Sequence, residues 1–126
     1  MNREERRREE KLHGKHAKHA ADESAFLRDV QLHHQAGRLE EAERGYRLLL
    51  ERCPSNPDAL HGLGLLLYRR GNLKEALSRL AEARAVDVRN PIYCFNHGVV
   101  LQRAGLLAEA VEAYGRAIHL TPRYIE

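Results

Sequence analysis

The stretch GNLKEA at residues 71–76 decides the fold, because it recurs on both sides of itself at one fixed spacing. GRLEEA stands at residues 37–42 and GLLAEA at residues 105–110, so each copy lies 34 residues from the next. The pairs Asn56-Pro57 and Asn90-Pro91 keep the same period. Three occurrences at one period indicate an array of structural repeats rather than one irregular domain.

Each unit is predicted to form two helices. Apolar and small residues of the second unit fall on one helical face, at Leu60, Leu63, Gly64 and Leu67. Gly71 supplies the left-handed residue that ends this helix, and the short connection there favours an antiparallel hairpin. Asn56 and Asn90 are good N-caps, and the proline after each is tolerated at the first helical position.

Small residues predict close packing between the paired helices. Gly64 and Gly98 are expected to face Ala76 and Ala110, which would let the helix axes approach toward the low end of about 8–10 Å. Two aromatic residues are expected to fill the space that remains between neighbours, Tyr114 and Phe26.

Composition and charge exclude several classes of protein. The chain has 126 residues, of which 43% are apolar, and no apolar run approaches the roughly 20 residues of a membrane span. Residues 1–22 hold seven Lys or Arg against five Asp or Glu, and the rest hold fourteen against thirteen. Nucleic-acid binders usually concentrate their basic residues on one face. Membranes and nucleic acids are therefore not expected partners.

The cysteines and the absence of catalytic motifs indicate a protein that is not an enzyme. Cys53 and Cys94 lack metal-ligand spacing and are expected to be free thiols in a reducing, cytoplasmic compartment. Cys53 ends a second helix and Cys94 takes a core position, where buried thiols are normally inert. The sequence contains no phosphate-binding loop, nucleophile elbow or zinc-protease motif. We expect no catalytic residue, no cofactor and no metal.

Residues 1–22 form a charged arm that is expected to be flexible or partly helical, with pairs such as Glu4–Arg8. Its histidines stand three residues apart, at His13, His16 and His19. The alternatives for them are a solvated tail, a metal site or electrostatic contact with an acidic surface. His33 and His34 end the next helical segment and are expected to cap it or face solvent.

This pattern resembles the tetratricopeptide repeat, a 34-residue helix–turn–helix unit with small residues at positions 8 and 20. The resemblance implies an all-α fold in which α–α hairpins form a right-handed superhelical solenoid, with six helices following the arm. The domain spans residues 23–126, and its repeats are 23–56, 57–90 and 91–124. Val88 stands where the other repeats have Pro54 and Pro122, so the second helix of repeat 2 is expected to run longer.

In this family the first helices line a concave groove, and repeat positions 2, 5, 6, 9, 12 and 13 usually face the ligand. The resemblance therefore implies that the chain is a scaffold for protein–protein interaction. Carried over, the groove comprises Leu27, Arg28, Gln31, His34, His61, Leu65, Tyr68, Arg69, Phe95, Asn96, Val99, Gln102 and Arg103. The same positions also include Gln35, Asp58 and Ile92.

The groove is apolar in part and basic at Arg28, Arg69 and Arg103. Arginine can hold a carboxylate through two parallel hydrogen bonds. A peptide or partner protein that carries an acidic group is one interpretation of this surface. The other is that the arginines are ordinary solvated residues.

Two subfamilies give further expectations. Repeats that bind chaperone tails carry Lys at position 5 and Asn at position 9 of the first unit, where this chain has Leu27 and Gln31, so that clamp is absent. Arrays that precede O-GlcNAc transferases carry Asn at position 6. Asn96 matches, whereas Arg28 and Gly62 do not. The alternative function is therefore an N-terminal segment that recruits substrates or partners to a larger enzyme such as a glycosyltransferase.

The last predicted helix has apolar residues with no following helix to cover them, namely Leu107, Ala110, Val111, Tyr114, Ala117 and Ile118. Exposed apolar patches of this kind usually mark interaction surfaces. Three interpretations remain open. A longer parent protein continues from here, two copies cover each other as a homodimer, or the patch is small and costs little.

Overall fold

The computed structural model describes residues 2–121, and for residues 12–20 it describes the backbone alone. Within that range the chain is all α-helical, as the repeats predicted. Its six helices are α1 (Arg3–Gln35), α2 (Leu39–Arg52), α3 (Pro57–Arg69), α4 (Leu73–Val86), α5 (Pro91–Arg103) and α6 (Leu107–Leu120). The first helices of the three repeats are α1, α3 and α5, and the second helices are α2, α4 and α6.

The helices α3 and α5 begin at the predicted caps, and the three first helices end before the predicted turn glycines. The Asn56 side chain accepts a hydrogen bond from the Ala59 N–H at 3.1 Å, and the Asn90 side chain accepts one from the Ile92 N–H at 3.0 Å. The glycines that open the three hairpin turns have φ of +81°, +86° and +81°, at Gly37, Gly71 and Gly105. This is the left-handed region that glycine adopts without steric cost.

The hairpins stack in chain order and form a curved array. Each first helix packs on the second helix of its own repeat, and α2 and α4 pack on the first helix of the next repeat. The first helices also contact one another, α1 with α3 and α3 with α5, whereas the described second helices make no such backbone approach. The first helices therefore lie on the inside of the curve, as expected for a repeat solenoid.

Long side chains bridge the wider gaps between the second helices. Arg47 on α2 donates two hydrogen bonds to the Glu75 carboxylate on α4, at 2.9 and 3.0 Å. Arg84 on α4 donates two to Glu112 on α6, at 3.0 and 2.9 Å. Paired bonds of this geometry fix orientation as well as contributing charge attraction.

Close packing at the predicted glycines is confirmed, although the neighbours differ between repeats. A methyl group on Gly64 would lie 2.7 Å from Leu80 Cγ and 3.3 Å from the Ala76 carbonyl oxygen. On Gly98 it would meet the Tyr114 ring at 2.9 Å. Phe26 was expected to fill space between neighbours, but its side chain is 39% exposed. Among the described residues nothing covers that side of repeat 1.

The expectation of a longer second helix in repeat 2 is wrong, because α4 has 14 residues, as α2 and α6 do. The helix ends at Val86 because the next cap forms at once. The Asn90 N–H donates to the Asp87 carbonyl at 3.3 Å, and its side-chain amide donates to the Asp87 carboxylate at 3.4 Å. This turn fixes the chain before Val88 could extend the helix.

The charged arm is helical in the structure. Helix α1 runs without interruption from Arg3 into repeat 1, and Asn2 and Glu5 form a capping box at its start. The division at residue 22 and the flexibility of the arm stay predictions. The imidazoles of the arm histidines lie outside the described residues, at His13, His16 and His19. No helix in the described part is long and apolar enough to cross a membrane.

Candidate functional site

All thirteen predicted groove residues lie on α1, α3 and α5, the helices on the inside of the curve, and none of them is buried. We call this accessible face of the three first helices the inner surface. The half-buried members are Leu27, Gln31, His34, His61, Leu65, Tyr68, Asn96 and Val99, and the exposed members are Arg28, Arg69, Phe95, Gln102 and Arg103.

His34 is held by the second helix of its own repeat. Its Nδ1 lies 2.9 Å from the Tyr46 hydroxyl, and the two rings meet edge to face. Burial lowers the pKa of His34, and the charge of Arg69 on the neighbouring helix α3 lowers it further. Burial, with a smaller contribution from Asp58, raises the pKa of Tyr46 to about 12. His34 was expected to cap the helix or face solvent; its side chain is half-buried and hydrogen-bonded to Tyr46.

A second group of polar side chains joins α3 to α5. His61 Nε2 lies 3.0 Å from Asn96 Nδ2, and the Tyr93 hydroxyl donates to Asp58 Oδ1 at 2.6 Å. The His61 and Tyr93 rings lie over each other, with centroids 4.6 Å apart. Burial lowers the pKa of His61 although the Asp58 carboxylate opposes this effect. A neutral imidazole can accept the hydrogen bond that the Asn96 amide donates.

Tyr93 is the member of this group that sequence reasoning missed. Both contacts join residues 35 apart, so each joins one repeat position to the next position of the following repeat. The spacing of 35 residues between polar side chains on neighbouring first helices could have been recognised in the sequence. Asn96, at position 6 of repeat 3, is hydrogen-bonded to His61 of repeat 2.

The structure explains why position 6 of repeat 2 is not asparagine. Gly62 lies against the buried Tyr46 ring, and a methyl group there would stand 2.5 Å from Tyr46 Cζ. Any side chain at this position would displace the tyrosine that holds His34. Packing against Tyr46 of repeat 1 therefore excludes asparagine at position 6 of repeat 2. Nothing in the structure explains Arg28 at the same position of repeat 1.

The apolar members of the inner surface divide into two places. Leu27 and Tyr68 pack against the main core cluster, which they extend toward the inner surface. Phe95 turns instead toward α6, where its ring centroid lies 5.6 Å from that of Tyr114. Gln102 also faces α6, because its Oε1 accepts a hydrogen bond from the Tyr114 hydroxyl at 2.7 Å. The structure thus separates Phe95 and Gln102 from the polar row around His34 and His61.

The arginines of the inner surface are available to a ligand. Arg28, Arg69 and Arg103 are exposed. Within the described part of the chain no carboxylate oxygen lies within 4.0 Å of these three guanidinium groups, whereas Arg47, Arg79 and other arginines of the outer layer are paired. A guanidinium without a partner can bind a carboxylate in the fork geometry.

The cysteines lie in two different settings. Cys94 is 2% exposed in the core, as expected. Cys53 is only half-buried, and its thiol donates to Glu23 Oε2 at 3.2 Å. This hydrogen bond, together with desolvation, raises the pKa of Cys53, so the thiol stays protonated at neutral pH. Where side chains are described, no three His, Cys, Asp or Glu residues cluster closely enough to hold a metal ion.

The outer side of repeat 3 is apolar and uncovered. Leu107, Val111 and Ile118 on α6 are 61%, 70% and 73% exposed. Ile118 also lines a groove of about 590 Å³ between α5 and α6, together with Ile92 and Phe95. The predicted exposure of α6 is confirmed for these residues, whereas Ala110 and Ala117 are buried against α5.

Comparison with known proteins matches the tetratricopeptide repeat to residues 27–92 and again to residues 61–125. Over 98 residues, or 78% of this chain, the sequence is 30% identical to the probable UDP-N-acetylglucosamine–peptide N-acetylglucosaminyltransferase SPINDLY of Hordeum vulgare. That match covers 10% of the barley protein. The chain thus spans about a tenth of the length of the curated relatives it matches.

Solved structures agree with this match. A mutant O-GlcNAc transferase from Thermobaculum terrenum superposes on 83% of this chain with a TM-score of 0.78 and 32% identity, over 20% of its own length. The first repeat domain of Spaghetti, bound to an HSP90 peptide, covers 81% of both chains with a TM-score of 0.75 and 20% identity. SycD of Yersinia enterocolitica, in complex with a peptide of the translocator YopD, covers 79% of this chain and 76% of its own, with a TM-score of 0.74 and 21% identity.

Proposed function

Because the chain belongs to the tetratricopeptide repeat family, a fold of interaction modules, we propose that its inner surface binds an extended peptide or partner protein with an acidic group. One observation carries the proposal. Arg28, Arg69 and Arg103 stand exposed on the inside of the curve without a carboxylate partner among the described residues. The half-buried Leu65 and Val99 supply apolar contact between them. Affinity for a short segment is expected to be micromolar, about −8 kcal/mol.

We propose that the chain acts without catalysis, as a scaffold in a cytoplasmic compartment. Cys53 and Cys94 are both free thiols, which is typical of reducing compartments. The polar row of the inner surface contains neutral histidines that are already hydrogen-bonded to Tyr46 and Asn96. Such groups position a ligand rather than activate a nucleophile.

The experiment compares two peptides of equal length by fluorescence anisotropy, one with alternating Glu and Leu and the other with alternating Gln and Leu. The Glu peptide is expected to bind more tightly. Arg69→Ala with Arg103→Ala is expected to weaken it by about tenfold or more, since each charged hydrogen bond contributes roughly 1.5–3 kcal/mol.

The matched control is Arg44→Ala with Arg89→Ala, which removes the same charge from exposed positions outside α1, α3 and α5. This control is expected to leave the affinity nearly unchanged. Equal weakening by both pairs would show that only net charge matters. Unchanged binding in the inner-surface pair would discard the arginine assignment.

A second candidate function is a substrate- or partner-recruiting segment of a larger enzyme such as a glycosyltransferase. The identities of 30% and 32% to two such transferases favour it. The test is the reading frame of the full transcript in the source cells. A catalytic domain encoded in frame beyond Glu126 supports this candidate, and a stop codon directly after Glu126 contradicts it.

We also propose that a second copy covers the apolar side of repeat 3, giving a homodimer through α6. The exposed Val111 and Ile118 support this proposal, because side chains of their size are rarely left in water as a contiguous patch. Sedimentation velocity over a wide concentration range tests it. A monomer at the highest concentration would contradict self-association.

A further inference from the structure

The joint between repeats 1 and 2 shows how one repeat attaches to the next. Leu50, on the outer side of α2, packs against a cluster in which Leu60 and Ala83 are fully covered, at 1% and 0% exposure. Leu60 lies on α3, Ala83 on α4 and the third member Tyr93 on α5, so an apolar side chain of repeat 1 packs against a cluster formed by repeats 2 and 3. We call Leu50 the plug, and the Leu60–Ala83 surface its socket.

The first side of the array carries the same socket without a plug. One repeat earlier, the positions of Leu60 and Ala83 are held by Phe26 and Leu49. These two residues line a cavity of about 390 Å³ between α1 and α2. Leu49 is already buried in the core at 2% exposure, whereas Phe26 and the neighbouring lining residue Leu48 are 39% and 47% exposed. The remaining lining residues include three carboxylates and one arginine, namely Asp22, Glu23, Glu51 and Arg52. This socket is therefore apolar inside and acidic at its edge.

On the last side of the array, no described residue covers the position that corresponds to the plug. Two repeats after Leu50, the same position is held by Ile118, which is 73% exposed on the outer side of α6. Its exposed neighbours on the last turns of the helix are Arg116 and His119. The charge beside this plug is thus opposite in sign to the acidic edge of the Phe26 socket.

We infer that copies of this chain associate head to tail, with Ile118 of one copy in the Phe26–Leu49 socket of the next. This inference keeps the self-association proposed above but replaces the symmetric α6 contact with a contact between two different surfaces. The contact continues the joint that already holds repeat 1 to repeat 2, and an isoleucine matches the volume that Leu50 occupies there. Acidic and basic edges meet around the buried pair, which favours this orientation.

The first helices fit the same arrangement. Asp58 and His61 hold Tyr93 and Asn96 of the following repeat, and the equivalent residues on the last side are Ile92 and Phe95. In the head-to-tail contact they face Ala25 and Arg28 of the second copy, which are both exposed.

The symmetry of this contact sets it apart from a dimer through α6. A head-to-tail interface joins two different surfaces, so each copy keeps one free end and the assembly grows beyond two unless it closes into a ring. An interface between two α6 helices joins identical surfaces and stops at two copies.

The experiment is multi-angle light scattering of the whole chain, with Ile118→Asp as the plug variant and Phe26→Asp as the socket variant. The wild type is expected to exceed dimer mass as its concentration rises. Each variant alone is expected to be monomeric. An equimolar mixture of the two is expected to form a one-to-one dimer, because it retains one intact plug and one intact socket. Circular dichroism verifies that both variants keep the wild-type helix content.

Val88→Asp is the matched control, because Val88 is 57% exposed in the turn between α4 and α5 and belongs to neither contact. It is expected to assemble as the wild type does. A wild type that stops at two copies, with Phe26→Asp still dimeric and Ile118→Asp monomeric, would overturn the head-to-tail contact and retain the dimer through α6. A wild type that is monomeric throughout would overturn both proposals.

Discussion

The second and third repeats share one sequence pattern but differ in how much of it is covered. Repeat 2 has a neighbour on each side, and its apolar positions Leu60, Leu63 and Leu66 are at most 1% exposed. The same three positions of repeat 3 are also buried, with Cys94, His97 and Val100 at 2%, 8% and 1% exposure. The difference lies on the side of repeat 3 that has no described neighbour, where Ile92 and Ile118 are 61% and 73% exposed. Burial in an array therefore depends on which neighbours a position has as well as on residue type, and the same substitution should have different consequences in the two repeats.

The largest expected difference comes from removing an apolar side chain. Leu60→Ala should lower the free energy of unfolding by about 2–5 kcal/mol, because it leaves a cavity at the joint of repeats 1 and 2. Ile118→Ala should change it by about 0.5 kcal/mol or less, because the side chain is exposed. Urea denaturation of dilute, monomeric protein measures both. Equal losses would show that repeat 3 is covered in solution even at low concentration.

The glycines give the next contrast. Gly62→Ala should destabilise the protein by about 1–3 kcal/mol, because the new methyl group overlaps the buried Tyr46 ring. Gly115→Ala on α6 has nothing within 4 Å of the new methyl group and should stabilise the helix by up to about 1 kcal/mol. Thermal unfolding of the pair measures the difference. A stable Gly62→Ala variant would mean that Tyr46 can move aside at little cost.

Sequence reasoning predicted the parts of this fold that repeat. Asn56, Asn90 and the turn glycines have a local physical role, so their effect on the backbone follows from their identity. Leu60 and Leu63 are buried because helical periodicity places them on the packed face. These residues act through neighbours that are close in sequence or one repeat away.

The parts that sequence reasoning missed depend on contacts that belong to one repeat only. His34 was expected at the surface, yet Tyr46 holds it, and the helical pattern contains no signal for that hydrogen bond. Phe26 was expected to fill space between neighbouring helices, yet it is 39% exposed, because no described residue covers that side of repeat 1. The exposure of Phe26 is thus set by its position at the first side of the array rather than by its residue type.

Acid should weaken repeat 3 at His97, which occupies the position that Leu63 holds in repeat 2. His97 is 8% exposed, its Nδ1 accepts from Arg84 at 3.4 Å, and burial together with Arg84 lowers its pKa below the ordinary 6.5. Between the unfolded-state pKa and the lower folded-state pKa, His97 is protonated in the unfolded chain and neutral in the folded chain. Stability is therefore full above pH 6.5 and falls as the pH drops toward the folded-state pKa.

The measurement is the free energy of unfolding of wild type and His97→Leu between pH 7.5 and about 5, above the range in which most carboxylates titrate. The variant should show a shallower fall, smaller by at most about 1.4 kcal/mol per pH unit. Some slope should remain, because His34 and His61 also have lowered pKa values. The same slope in both proteins would mean that His97 is already protonated in the folded state or reaches solvent freely.

The smallest expected effect lies in the ion pairs between second helices, which join the repeats differently on the two sides. Glu75 is 29% exposed and binds both Arg47 and Arg79, whereas Glu112 is 63% exposed and binds Arg84 alone. Glu75→Gln should therefore cost more than Glu112→Gln, with both near or below about 1 kcal/mol, because solvent screens exposed pairs. Glu109→Gln, exposed on α6 and without a cation within 4.0 Å in the described part, should cost close to nothing. High salt should reduce the loss of unfolding free energy most for Glu112→Gln. If Glu112→Gln cost more than Glu75→Gln, the joint to repeat 3 would depend on its ion pair because its apolar contacts are weaker.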